Sequence, residues 1–243
     1  MKNEQKLEHV LPFLKKIDQE RREQFELYFR TAPEWLLESF SIEVMDKGTV
    51  FVREGEPVDT IFLVGDGIIK ATDYRIYGIP YDFMLFKKVY AYGGMEILMD
   101  LDRYRTTLQT VTKCTMLKIP SVQFRKWMKT DIDALKQESK LMGEYLLEQA
   151  RNSRAFLFLQ GTDRLAFLLI KWYEKYAVDG VLRLRSDRQE LADCTGLCVK
   201  TITRSMQKFE EMGLIKKEKR TVVIDREQYG RLKEQIAAIL VED

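Results

Sequence analysis

One stretch decides the fold: Ser186-Asp187-Arg188-Gln189-Glu190-Leu191-Ala192-Asp193-Cys194-Thr195-Gly196-Leu197-Cys198-Val199-Lys200-Thr201-Ile202-Thr203-Arg204-Ser205-Met206-Gln207-Lys208-Phe209. Ser186 or Asp187 can cap a helix that carries Glu190 in its first turn and buries Leu191 and Ala192. Thr195-Gly196-Leu197 then makes a turn. Gly196 supplies a backbone conformation that bulkier residues reach only with strain, and Leu197 points between the helices. A second helix runs from Val199 to Met212. Ile202, Met206 and Phe209 recur three to four residues apart and face inward, so Lys200, Thr203, Arg204 and Gln207 face outward.

That pattern is a helix-turn-helix, and its second helix has the length to enter a DNA major groove with its N-terminal residues on base edges. Arg204 suits bidentate recognition of guanine, and Lys200 can reach a guanine or a phosphate. Thr201 and Thr203 suit phosphate oxygens. A hairpin is predicted next, with Leu214-Ile215 and Thr221–Ile224 flanking the basic turn Lys216–Arg220. It forms a wing near the sugar-phosphate backbone. The candidate DNA-binding residues are Arg188, Val199, Lys200, Thr201, Thr203, Arg204, Gln207, Lys216 and Lys217. A plain helical hairpin with solvated charges is the alternative. The turn glycine, the outward arginine and the adjoining basic wing weigh against it.

Charge distribution agrees. The 243-residue chain has a net charge of only +2, yet residues 183–220 hold ten Lys or Arg against six Asp or Glu. Such a local excess is the electrostatic footprint of a nucleic-acid-binding unit. With 45% hydrophobic residues and a mean hydropathy of −0.31, the chain can bury a real core. No apolar run approaches the roughly 20 residues that span a bilayer. Met1-Lys2-Asn3-Glu4-Gln5-Lys6 is followed by mixed charges and not by a signal core, so a cytoplasmic protein with no membrane partner is expected. Cys114, Cys194 and Cys198 are too few, and odd in number, for a disulfide framework. With His9 the sole histidine, no zinc-ligand set forms around Cys194 and Cys198. Cys198 falls at the N-cap of the reading helix, a place that favours a thiolate, although a small residue tolerated in a Ser or Thr position is the plainer reading. No nucleophile-histidine pair, metal cluster or Gly-rich phosphate loop is present, so no enzyme is expected.

Upstream, the pattern changes three times. Residues 5–40 read as short helices, with Leu7, Val10, Leu11, Leu14 and Ile17 at helical spacing and Pro12 and Pro33 as interruptions. Residues 41–120 read as short strands between turn signals: Ser41–Met45, Thr49–Val52, Thr60–Val64, Ile68–Thr72, Asp82–Phe86, Thr107–Thr112 and Thr115–Ile119. That spacing suggests an all-β barrel or roll. From 131 to 160 a long helix is predicted, with Ile132, Leu135, Met142, Leu146 and Phe156 near a seven-residue period. Its length fits an interhelical dimer seam; two helices covering the β core are the alternative.

With these pieces in order, the chain resembles the Crp/Fnr family of transcription regulators, named for the cyclic-AMP receptor protein and the fumarate-nitrate reduction regulator. Three stretches carry the likeness. Lys47-Gly48-Thr49-Val50-Phe51, Gly55 and Ile61–Lys70 resemble the opening of a cyclic-nucleotide-binding roll. Arg105-Thr106-Thr107-Leu108-Gln109-Thr110-Val111 resembles the strand after the effector cassette. Glu190–Asp193, Thr195-Gly196-Leu197 and Thr201–Arg204 resemble the DNA-reading unit.

The resemblance implies an α+β protein. Residues 1–130 would form an effector-sensing β-roll (jelly roll) domain with N-terminal helices, 131–160 a long dimerisation helix, and 161–243 a winged helix-turn-helix. It also implies a homodimer that binds a palindromic operator, contacts RNA polymerase and responds to a small-molecule effector. The effector-binding positions it points to are Gly94, Glu96, Arg105, Thr106 and Gln149. Two departures matter. Met95, not glycine, precedes Glu96, and methionine would crowd a phosphate where glycine lets the backbone approach; Gly93 and Gly94 just before it leave a shifted loop as the alternative. Gln149 and Ala150 stand where paired hydroxyls would meet adenine. Both point away from cyclic AMP. With no cysteine before Cys114 and only His9, neither an iron–sulfur cluster nor haem is expected. Tyr74, Tyr77, Tyr81, Phe83, Phe86, Tyr90 and Tyr92 could line a pocket for an aromatic or apolar acid held by Arg105, or simply pack the roll. In the reading helix, Lys200 stands where several family members have glutamate, so the target sequence should differ from theirs. The competing function is an effector-binding module acting on a protein partner without DNA, and the basic reading face argues against it.

Overall fold

The computed structural model describes residues 3–73, 81–85, 89–185, 187–219 and 221–237; of 3–5, 72–73, 81–85 and 152–157 only the backbone is described. These residues divide into two compact units, the first holding 3–73 and 83–146 and the second 147–237 together with Tyr81 and Asp82.

Helices open the first unit: α1 (Asn3–Val10), a 3-10 turn (Pro12–Lys15), α2 (Gln19–Tyr28) and α3 (Glu34–Leu37). Proline sets the breaks as expected, Pro12 starting the 3-10 turn and Pro33 capping α3, because it cannot donate within a helix but suits its first turn. Strands follow: β1 (Ser41–Met45), β2 (Val50–Val52), β3 (Thr60–Asp66), β4 (Ile69–Asp73) and β5 (Tyr81–Leu85). After the short helix α4 (Gly94–Leu98) come β6 (Thr107–Thr110) and β7 (Cys114–Pro120). They form two sheets, ordered β1-β7-β3 and β2-β6-β4-β5, in which β7 pairs antiparallel with β1 and β3, and β6 with β2 and β4. Ile61 lies opposite Ile119 and Leu63 opposite Leu117. All four side chains are buried.

Strand β3 is an edge, yet Ile61–Val64 are buried. The N-terminal helices explain this. Arg21 of α2 donates from Nε and Nη2 to the Val64 carbonyl, at 3.2 and 2.8 Å, and so satisfies an edge group that would otherwise need water. Tyr92 exchanges two backbone hydrogen bonds with Phe62 along the same edge, at 2.8 and 3.0 Å. Phe25, Phe29, Phe124 and Trp127 fill the space beneath, with Phe29 stacked on Trp127 at 5.7 Å.

Helix α5 (Ser121–Thr130) leads into α6, a single helix of 27 residues, Ile132–Phe158. One helix, not two, occupies this stretch. Ala134 and Glu138 are buried, and Leu135, Leu141 and Tyr145 pack against the roll core. The seven-residue stripe predicted from the sequence is therefore not buried along its whole length. Leu135 turns to the roll, whereas Ile132 and Leu146, about 60° and 20° from it around the helix at 100° per residue, are 74% and 52% exposed. Phe156 lies outside the described side chains.

The second unit holds α7 (Thr162–Tyr176), β8 (Leu182–Leu184), α8 (Arg188–Thr195), α9 (Val199–Glu211), β9 (Lys216–Glu218), β10 (Thr221–Ile224) and α10 (Arg226–Ala237). Its sheet order is β8-β10-β9. Leu165, Leu169, Leu191, Ile202, Met206, Phe209, Leu214 and Leu232 share its core. The predicted hairpin is shifted: Leu214 and Ile215 are buried ahead of the first strand, and Lys216 and Lys217 lie in β9 instead of the turn. The buried pair anchors the approach to the sheet, and the strand pairing starts only afterwards, with Lys216 opposite Val223.

Candidate nucleic-acid interface

Helix α8 starts at Asp187, whose carboxylate accepts the Glu190 N–H at 2.7 Å. It is the cap that the sequence pattern required; the other candidate, Ser186, lies outside the described residues. The helix ends at Gly196 with φ +67°, a left-handed conformation that only glycine takes without penalty. The Leu197 N–H then returns to the Ala192 carbonyl at 3.2 Å. Thr195, fully enclosed, turns its hydroxyl back onto the Leu191 carbonyl at 2.7 Å. The turn is thus closed by hydrogen bonds from within, and Leu197 packs against the core.

Helix α9 buries Ile202, Ser205, Met206 and Phe209. The Ser205 hydroxyl lies 3.3 Å from that of Thr162 at the start of α7. Lys200, Thr203, Arg204 and Gln207 are exposed on the opposite side, and Val199 is also exposed. Among the described residues Lys200 and Arg204 form no ion pair. Their charges stand ready for an anionic partner with no ion pair among the described residues to break. Thr203 donates its hydroxyl to the Val199 carbonyl at 2.9 Å, and Gln207 donates to Glu211 at 3.0 Å. Thr201, half-buried, lies 3.2 Å by its hydroxyl from the Cys198 thiol. The contact with Thr201, together with backbone N–H groups of the first turn, holds the exposed Cys198 thiol below its ordinary pKa.

The wing differs. Lys217 pairs with Glu210 of α9, Lys216 with Glu218 at 3.4 Å, and Arg183 with Glu218 at 3.0 Å. These two cations hold the Glu218 carboxyl below the usual range, Arg183 first. Pairing between the wing and the helix was not legible from residue order, because Glu210 and Lys217 meet only once β9 folds back along α9. Arg188 is half-buried in the first turn of α8.

The predicted effector positions divide. Gly94 and Glu96 lie on α4. The buried Glu96 carboxylate accepts the Arg105 backbone N–H at 3.0 Å, which brings the cassette helix and the start of the following strand together. The Arg105 side chain is exposed, Thr106 is half-buried, and Gln149 is half-buried on α6 in the second unit. Of the aromatic group, Tyr92 is in the core, and Tyr90 meets Tyr145 edge-on at 6.1 Å. Tyr74, Tyr77 and Phe86 lie outside the described residues, as do the side chains of Tyr81 and Phe83. No helix among the described residues is long and apolar enough to cross a membrane.

Two family descriptions match the chain, a cyclic nucleotide-binding domain over residues 42–131 and a Crp-like helix-turn-helix domain over residues 163–229. Together they cover well over half of it. The chain is 24% identical over 190 residues to the transcriptional activator protein anr of Pseudomonas aeruginosa, spanning 74% of this chain and 75% of that protein. It is 21% identical over 203 residues to the cAMP-activated global transcriptional regulator CRP of Salmonella typhimurium, spanning 79% and 92%. Its fold is similar to that of the c-di-GMP-responsive global regulator CLP of Xanthomonas campestris, with a TM-score of 0.68 at 21% identity over 86% of this chain and 99% of the other. Such relatives are transcription regulators and not enzymes. The chain belongs to the Crp/Fnr family of transcription regulators, with a helix-turn-helix DNA-binding domain and an effector-binding domain of the cyclic-nucleotide-binding type.

Proposed function

We propose that this regulator acts as a homodimer on a palindromic operator. One observation carries the reading: α9 buries one face and presents Lys200 and Arg204, unpaired among the described residues, on the other. In this reading Arg204 takes a guanine edge, Lys200 a guanine or phosphate, and Val199 and Gln207 flank them. Arg188, Thr201, Thr203, Lys216 and Lys217 hold the backbone. Domains at 1–130, 131–160 and 161–243 then serve as sensor, dimer helix and reader. Two-fold symmetry presents the reading helices to successive major grooves, about 34 Å apart. A small molecule near Gly94, Glu96, Arg105 and Thr106 sets the balance of states through its unequal affinity for them. RNA polymerase is the downstream partner, in the cytoplasm.

The test is a gel shift of the full chain against a pool of duplexes with non-specific competitor. Sequence-preferring binding is expected; its absence at every salt concentration would leave the protein-partner alternative. The wing supplies a further expectation. Lys217→Ala should weaken cognate and random duplexes alike and lower the slope of log K against log salt by about 1 at most. The drop stays small because Lys217 must leave Glu210 before it meets a phosphate. Anisotropy titrations across a salt series measure it, and an unchanged slope would place Lys217 off the backbone.

A further inference from the structure

Helix α6 carries a carboxylate into the face it lays on the roll. Glu138 is 3% exposed, and its neighbours on that face, Ala134, Leu135 and Leu141, are apolar. Its Oε2 accepts the Tyr28 hydroxyl of α2 at 2.6 Å. Its Oε1 stands against Gly94, the first residue of α4. A Cβ at position 94 would meet that oxygen at 2.5 Å, closer than real contacts allow, and would crowd Ala91 at 3.1 Å. Glycine is therefore what admits the carboxylate. Three elements, α2, α4 and α6, close on a single titratable group. From α2 the titratable group facing it is Tyr28; from α4 it meets glycine, with Ala91 beside it; and no cation among the described residues acts on it.

A buried carboxylate with one neutral hydrogen bond and no counter-charge is poorly compensated when ionised. Burial pushes the Glu138 carboxyl up from its ordinary 4.5 to about 7, against the lowering by the Tyr28 hydroxyl. We propose that Glu138 is a proton-sensitive latch: protonated, it holds α6 on the Gly94 segment and on α2, and ionised, it loosens that grip. The sign is fixed by linkage. A carboxyl raised by folding contributes its full stability below about pH 4.5, loses it as pH rises through 7, and contributes none above. The latch therefore closes in mild acid and weakens toward alkaline pH.

The experiment needs no DNA. In the full chain labelled with carboxyl-13C glutamate, the resonance missing from Glu138→Gln should titrate near 7, not near 4.5. Tyr28→Phe removes the bond that lowers it and should move the midpoint up further. Hydrogen–deuterium exchange of α2 and α4 should be faster in the wild type than in Glu138→Gln at pH 8.5 and equal at pH 5.5. A midpoint in the ordinary carboxylate range, or equal exchange at both pH values, would overturn the latch. Should Glu138→Gln fail to fold, the Tyr28→Phe titration decides alone, and an unmoved or lowered midpoint counts against it.

Discussion

Leu146→Asp should convert the protein to a monomer and cut operator affinity at least about 100-fold. Leu146 is 52% exposed on α6, beside Leu147 at 61%, and Ile132 lies further up the helix at 74%. Exposed apolar residues along one long helix cost little singly but mark a face that a partner covers. In a two-fold dimer each copy presents the same patch, so one substitution buries two unpaired carboxylates. About 3 kcal/mol of desolvation, a conservative figure for an uncompensated buried charge, already exceeds a factor of 100 in association. In the monomer the aspartate stays in water, so fold and thermal midpoint should change little. Sedimentation equilibrium reads the mass, and far-UV circular dichroism the fold. A variant that keeps wild-type mass would remove α6 as the seam.

Arg204→Ala should cost about 1–3 kcal/mol per half-site on the cognate duplex, roughly 5- to 150-fold, and relax preference at one base pair. The structure sharpens this expectation. Because Arg204 forms no ion pair among the described residues, the loss measures the DNA contact with no internal bridge to offset it. Binding to random duplexes should fall far less than binding to the cognate one. An equal loss on every duplex would make Arg204 a phosphate contact. Thermal stability should be unchanged, since the side chain supports nothing in the core.

Much of this was legible in the sequence, for physical reasons that can be named. The reading unit was the clearest part, because its periodicity, cap and turn residue agree: Asp187 caps, Gly196 turns, and Ile202, Met206 and Phe209 bury. Each local preference points to the same answer. Strand positions in the roll were legible from turn spacing, and their ends moved by only a residue or two. What failed depended on folding back. The wing strand begins at Lys216 because Leu214 and Ile215 are needed in the core, a tertiary demand that outranks a basic turn pattern. Glu138 was missed as a functional group, although its position, three residues after Leu135 and seven before Tyr145 on one packed face, is anomalous for a charge. Its partners Tyr28 and Gly94 are distant in the chain, and no helical periodicity links them. The Glu210–Lys217 pair was hidden for the same reason.

Selection of duplexes from a random pool by the full-length protein tests the central claim most directly, that α9 reads DNA as one of a symmetric pair. The expected result is an inverted repeat with half-sites about one helical turn apart. Repeated with Arg204→Ala, it should lose information at one base pair in each half-site, at symmetric positions. Enrichment of no sequence, or of a repeat that Arg204→Ala leaves intact, would contradict it.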